Sequence, residues 1–417
     1  MGQNNLSNNS RKSSNILIFL GGDIEKDEIE QEKLNFRNGG GFSESIYSEK
    51  IFQAIHGNYS ASFFMAYKAI CWYPKYTSTK KVRGGLIGND KYYASYNNTA
   101  GIRNKEIFQS LIFGARNYLI PKLNLGAFET IDVVIASCFD PLIAFSCWLK
   151  QKFPNIKVVL NVPDLPTMMN YSTKNVLYKA YKNYEKIKIE SEIKKCVDGF
   201  VFLSKYMIPY FSKISRPYFI SEGIAEEIHP FTDTSFEQTI VYTGLLEPFI
   251  NLDLLLKSFS IVKRHIPSAK LIIAGGGGGS HKIEELSQNG FLIYKGVISP
   301  EDAKSLQLRA SVLINLRAPD EVFKYSFPSK TMSYLETGHP VVCFKLGSFP
   351  AEYDDVLFYP KSDSVNDVAS VIESALRLTA GQREKLWKDT GVLLASKNGQ
   401  SYAIKMTDLF YKIRCKE

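Results

Sequence analysis

Short apolar runs of five to eight residues recur along the 417-residue chain, separated by longer stretches in which apolar positions repeat at helical spacing. In the first half, NILIFLGG (15–22), SASFFMAY (60–67), DVVIAS (132–137), KVVLNV (157–162), DGFVFLS (198–204) and PYFISEG (217–223) predict strands. Between the first two lies SESIYSEKIFQAI (43–55), whose Tyr47, Ile51, Phe52 and Ile55 form one face of a helix. A looser segment, IAEEIHPFTDTSFEQ, follows Gly223, and the rhythm then restarts with TIVYTG (239–244). KLIIAG (270–275), GFLIYKG (290–296), ASVLINL (310–316), HPVVCF (339–344) and VLFYP (356–360) continue it, and SYAIKMTDLFYKI (401–413) predicts a closing amphipathic helix.

Strands alternating with helices predict an α/β protein with parallel sheets and crossover helices. The pattern occurs twice, which divides the chain into a polar, unstructured lead-in (1–14), a first domain (15–226), a second domain (227–400) and a C-terminal helix (401–417). Ligands of parallel sheets bind outside the carboxyl ends of the strands. The loops after Leu20, Val162, Thr243, Ala274, Lys295, Leu316 and Phe344 are therefore where function is expected.

Composition narrows the class. Hydrophobic residues make up 45% and the net charge is +9, as in a globular protein. Six cysteines lie far apart with no Cys-x-x-Cys pair, which reads as free thiols in a reducing compartment, and five scattered histidines give no metal-ligand spacing. The first fourteen residues lack the apolar core of a secretory signal, and the most apolar run, 133–149, is short and broken by Asp140-Pro141, so a soluble or peripheral cytoplasmic protein is expected. The basic residues cluster in YSTKNVLYKAYKNYEKIKIESEIKK (171–195), which interleaves lysines with tyrosines. That helix is either a solvated face with its tyrosines against the core or a surface for anionic lipid headgroups. No nucleic-acid-binding motif accompanies the charge.

The segment FKYSFPSKTMSYLETGHPVV (323–342) carries candidate chemistry. Ser326 or Phe327 can cap a helix with Pro328 in its first turn, ended by Gly338 and Pro340. Such an N-terminus attracts anions; Lys330 adds a charge there, and Arg317, just after the preceding strand, has a planar fork suited to phosphate. Pairing of Arg317 with Asp320 or Glu321 is the alternative.

The run INLRAPDEVFKYSFPSKTMSYLETGHPVV resembles the nucleotide-binding signature of family 4 glycosyltransferases of the GT-B fold, in particular a bacterial capsular and O-antigen polysaccharide subgroup. VYTG, LIIAGGGG and YKGVISPEDAKSLQLRASVLINL extend the resemblance through the second half, and VVLNVPDLPTMMN, DGFVFLSKYM and YFISEGI continue it more loosely in the first. The resemblance implies two Rossmann-like domains facing across a cleft and transfer with retention, without an obligatory metal or cofactor. It implies a UDP- or GDP-sugar donor held by the second domain and a glycan acceptor, lipid-linked in that subgroup, held by the first. Arg317 and Lys330 would stabilise the leaving diphosphate. Gly244, Gly275, Gly276, Tyr294, Gly296, Val297, Ser329, Ser333 and Glu336 would line the donor site, with the base near 294–297.

The chain departs from the family pattern in two places. Ser333 stands where the family carries a Glu that grips the ribose, with Glu336 one turn on as a substitute carboxylate, and no cation occurs between Gly244 and Asp253. These departures keep two other classes open: a non-catalytic GT-B scaffold subunit, and a sugar-nucleotide epimerase of related fold. In the first domain, Gly40, Gly41 and Phe42 open a helix toward the cleft, and Asp164 follows a strand where the family has a His-Asp pair, Pro163 replacing the His. Asp164 can orient an acceptor hydroxyl or serve as a turn residue.

Overall fold

The structure, a computed structural model, describes residues 13–23, 42–68, 81–99, 101–123, 131–135, 138–165, 176–247, 250–319 and 321–415. The first domain is built on an eight-stranded sheet in the order β10-β9-β8-β7-β1-β2-β5-β4. Its strands are β1 (Ser13–Asp23), β2 (Tyr59–Lys68), β4 (Gly85–Ile87), β5 (Lys91–Tyr93), β7 (Ile131–Ile135), β8 (Lys157–Val162), β9 (Gly199–Phe202) and β10 (Tyr218–Ile220). All neighbours are parallel except the β4–β5 hairpin. A short antiparallel pair, β3 (Lys81–Val82) with β6 (Tyr96–Asn97), lies beside it. Residues 81–97 were not expected to form strands; their runs of two or three residues are too short to show a period of two.

Helices cover both faces. On one lie α2 (Arg103–Gly114), which continues through a π turn, α3 (Asp140–Lys152) and α4 (Val176–Cys196), over a core of Ile18, Leu20, Met65, Leu111, Phe145, Val158, Leu160 and Phe200. On the other lie α1 (Phe42–Ile55) and α11 (Gly399–Arg414). Tyr402, Met406, Leu409, Phe410 and Ile413 of α11 are buried together with Leu17, Phe19, Val159 and Val201 of the sheet. Arg414 at its end binds the buried Asp132 carboxylate at 2.6 Å.

The second sheet has the order β13-β12-β11-β14-β15-β16, all parallel: β11 (Thr239–Thr243), β12 (Lys270–Ala274), β13 (Ile293–Tyr294), β14 (Val312–Asn315), β15 (Val341–Cys343) and β16 (Leu357–Phe358). Counted within the domain this is 3-2-1-4-5-6, the doubly wound order, with its switch point between β11 and β14. Helices α5 (Leu252–His265), α6 (Ser280–Gln288), α7 (Pro300–Leu308), α8 (Ser329–Leu335), α9 (Val365–Leu376) and α10 (Ala380–Ala395) complete it.

The chain crosses between domains twice, and the two passes lie side by side: Ala225 N–H donates to Lys397 O at 3.0 Å, and Lys397 Nζ binds the buried Glu222 carboxylate at 3.0 Å. Three expectations are corrected. Ser13 and Ser14 already belong to β1 rather than to the lead-in. The 290–296 strand shortens to Ile293–Tyr294, since Gly290 and Gly296 both take positive φ and end it. Cys147 and Cys196, expected as free thiols, form a disulfide across 49 residues because α3 and α4 lie side by side, a proximity that spacing along the chain does not encode.

Candidate active site at the switch point

Arg317 follows β14 by two residues and Gly244 follows β11 directly, so both stand at the switch point of the second sheet. Strand order opens a crevice there because the crossovers on either side run to opposite faces. The Arg317 guanidinium lies over the Phe323 ring, 3.8 Å from its centroid. Burial pushes its pKa below the ordinary value, and the negative charge of Asp164 opposes that shift. Asp164 belongs to the first domain, two residues past β8, and its charge also reaches the buried Cys138 beyond β7. A carboxylate of the first domain thus acts electrostatically on a guanidinium of the second, each two residues past the end of its strand.

Lys330 lies in the first turn of α8, and its ammonium runs inward. It sits 5.3 Å from the Tyr242 ring and 5.8 Å from the Tyr334 ring and contacts Thr243 O. Desolvation lowers its pKa to about 8. Tyr334 is buried and its hydroxyl accepts from Thr243 N at 2.9 Å, while Gln307 Nε2 donates to Thr243 Oγ1 at 2.8 Å. Two residues make room for this slot. A Cβ on Gly244 (φ 138°) would run into Lys330 Nζ, and one on Gly275 (φ 139°) would run into the Gly244 backbone. Both φ values lie in the region that favours glycine.

Gly275 and Gly276 follow β12, and the Tyr294 hydroxyl at the end of β13 donates to Gly275 O at 2.7 Å, fixing the glycine run. Gly296 O faces the same loop, accepting from Gly275 N at 2.7 Å. Val297 is 72% exposed beside Gly276 and offers an apolar lip. Gly244, Gly275, Gly276, Tyr294, Gly296 and Val297 therefore lie together at the carboxyl edge of β11 to β13. Ser329 opens α8 and is exposed, and the Ser333 hydroxyl, one turn on, donates to Lys330 O at 3.0 Å. Pro328 is the N-cap of α8 rather than a first-turn residue, and neither Ser326 nor Phe327 caps it.

Glu336, expected as a substitute carboxylate at the ribose, already has partners in the structure. It is 3% exposed, and its oxygens are engaged by Lys50, Lys304 and the Glu226 N–H. It stands at the C-cap of α8, where the chain turns into the hinge side of the domain. Phe42 is the first residue of α1, whereas Gly40 and Gly41 lie outside the described residues. Sequence reasoning missed Tyr242, Tyr334, Thr243 and Gln307. A Tyr directly before a strand-ending Thr-Gly carries no period that separates an aromatic slot from plain core.

Two doubly wound domains facing each other, with cations and a glycine floor at one switch point, define the GT-B class of glycosyltransferase architecture. Residues 237–378 match the family model described as "Glycosyl transferases group 1", so the second domain is a glycosyltransferase domain and the protein is an enzyme of that type. Among solved structures the chain is similar to TarM from S. aureus (10% identity, TM-score 0.59, covering 95% of this chain and 99% of that one), in a complex that contains UDP. It is also similar to HepE from Anabaena in complex with UDP (9%, 0.59, 95% and 99%). A third likeness is to the E. coli trehalose-6-phosphate protein bound with UDP-2-fluoro glucose (10%, 0.56, 94% and 98%). No curated protein matches the chain.

Proposed function

We propose that the enzyme transfers a sugar, with retention, from a UDP-sugar held by the second domain to a glycan acceptor held by the first. The observation that carries this reading is the meeting of Arg317, Lys330 and the Gly244–Gly275 floor at one switch point, where the charge of Asp164 also acts on Arg317. UDP is favoured over GDP because the similar TarM and HepE structures contain UDP.

As the bond between the anomeric carbon and the diphosphate oxygen breaks, negative charge builds on the leaving UDP. Arg317, Lys330 and the first-turn N–H groups of α8 are pre-placed to stabilise it in a desolvated crevice. Asp164 orients the acceptor hydroxyl, whose oxygen bonds the anomeric carbon on the face the diphosphate leaves. The hydroxyl proton passes to the departing phosphate oxygen. Ser333 replaces a carboxylate at the ribose, so the ribose is held by one neutral hydrogen bond and the diphosphate contacts supply most of the grip.

The acceptor we infer is lipid-linked, in capsular or O-antigen polysaccharide synthesis of the family 4 kind, with α4 meeting the membrane surface. No helix among the described residues is long and apolar enough to cross a membrane, and Tyr184 and Ile187 of α4 are 66% and 59% exposed.

Thermal unfolding with nucleotide tests the donor. UDP at about 100 times its dissociation constant stabilises by roughly 2.7 kcal/mol, a rise of a few degrees in Tm. The rise should vanish in Arg317→Ala. A rise with GDP and none with UDP would overturn the choice of base, and a rise that Arg317→Ala retains would move the site elsewhere.

A further inference from the structure

Glu336 is a buried carboxylate that the transfer chemistry does not use. It ends α8, about 9 Å along the helix from Lys330. Its Oε1 accepts from Glu226 N at 3.0 Å and lies 3.5 Å from Lys50 Nζ, while Oε2 lies 3.5 Å from Lys304 Nζ. Its own carbonyl accepts from His229 N at 2.9 Å. These partners come from three parts of the molecule. Lys304 is on α7 of the second domain, Glu226 and His229 are in the interdomain crossover, and Lys50 is on α1 of the first domain. Lys50 is itself held by Glu226 Oε1 at 3.0 Å and by Ile224 O at 3.3 Å.

Two lysines and two glutamates make the cluster neutral, and Glu336 at 3% exposure is shielded from salt. The contacts join α8 of the second domain to α1 of the first. The first turn of α8 carries Lys330.

We propose that Lys50 and Glu336 form a charge latch across the hinge, and that both are positioning residues for transfer. The latch fixes α8 against α1 and so sets the separation at which Asp164 faces Arg317. The inference rests on the donor and acceptor assignment above. Its logic is geometric: a shift of about 1 Å between reacting groups lowers the rate by up to a hundredfold without touching donor contacts. Lys304, on the same domain as Glu336, neutralises the carboxylate but spans no hinge.

Three variants, Lys50→Met, Glu336→Gln and Lys304→Met, separate the roles, with UDP and UDP-glucose as probes. In Lys50→Met the latch predicts a UDP dissociation constant within about twofold of wild type and UDP-glucose turnover lowered about tenfold or more. The charge swap Lys50→Glu with Glu336→Lys should recover part of that turnover. Equal losses in affinity and turnover would make Glu336 a donor ligand and overturn the latch.

A second measurement stands apart from turnover. Spin labels at the exposed Asn117→Cys and Glu284→Cys, in a background with Cys71→Ser and Cys415→Ser, report the interdomain distance. The distance distribution should broaden in Lys50→Met and Glu336→Gln and stay narrow in Lys304→Met. Narrow distributions in all three would sink the latch even where the wild type turns over no UDP-glucose. A broad one in Lys50→Met alongside absent turnover would sustain the latch while removing the choice of donor.

Discussion

Lys330 is where burial and charge conflict most at the scale of one residue. Desolvation by burial holds its pKa at about 8 instead of 10.5. Between those values the unfolded chain keeps a proton that the folded protein has lost, so stability rises as pH climbs from 8 toward 10.5. Below pH 8 the folded protein carries the buried charge, a destabilisation of roughly 3 kcal/mol. Lys330→Met should therefore raise the Tm of the ligand-free protein at pH 7 and abolish UDP stabilisation; a lower Tm would mean that the Tyr242–Tyr334 slot stabilises the cation outright. A bound diphosphate restores the ammonium, so calorimetry at pH 8.5 in buffers of different ionisation heat should record proton uptake on UDP binding, absent in Lys330→Met. At this scale Arg317 and Lys330 were legible as candidates, because a cation after a strand and one in a helix's first turn have local signatures. The conformation of Lys330 was not, since its partners Tyr242, Thr243 and Tyr334 belong to a strand some ninety residues away and to the helix's inner face.

At the scale of elements, α4 tests the membrane reading. Asp140 binds Lys188 at 2.7 Å and Cys147 bonds Cys196, so α3 and α4 run in the same direction. Residues 176–187 then extend past the start of α3 by about 18 Å, beyond the carboxyl ends of the strands. A near-surface lysine contributes about 1 kcal/mol toward anionic lipid. Charge reversal at Lys179, Lys182 and Lys186 should thus abolish sedimentation with phosphatidylserine vesicles, and unchanged sedimentation would leave α4 as a solvated helix. Helix α8 carries a related lesson: Pro-Ser-Lys marked its start to within two residues, yet it is only seven residues long. Propensity gives such a helix little stability of its own, and it is held by burial of Thr331, Met332, Tyr334 and Leu335.

In the whole molecule, the chain's last helix completes the first domain. Large side chains of α11 fill one face of the first sheet, each burial contributing about 2 kcal/mol against a domain stability of roughly 5–15 kcal/mol. Truncation after Lys397 should leave the first domain unable to fold cooperatively, seen as an insoluble product or loss of the sharp thermal transition; a soluble, cooperatively melting truncation would show that α11 is an accessory. The alternation of strand and helix, the restart near residue 239 and the positions of most strands followed from the sequence, because burial on both faces forces continuous apolar runs whatever the neighbours are. Composition and spacing also sufficed to put function in the loops at strand ends. Strand order, the switch point between β11 and β14, the disulfide between α3 and α4 and the pairing of Glu336 with Lys50 and Lys304 were decided only by the tertiary structure. Each of these depends on which distant segments meet, and a contact between residues fifty or three hundred positions apart leaves no period in the chain. The sequence alone thus determined most of the elements and the candidate cations, and the fold decided which distant groups surround them.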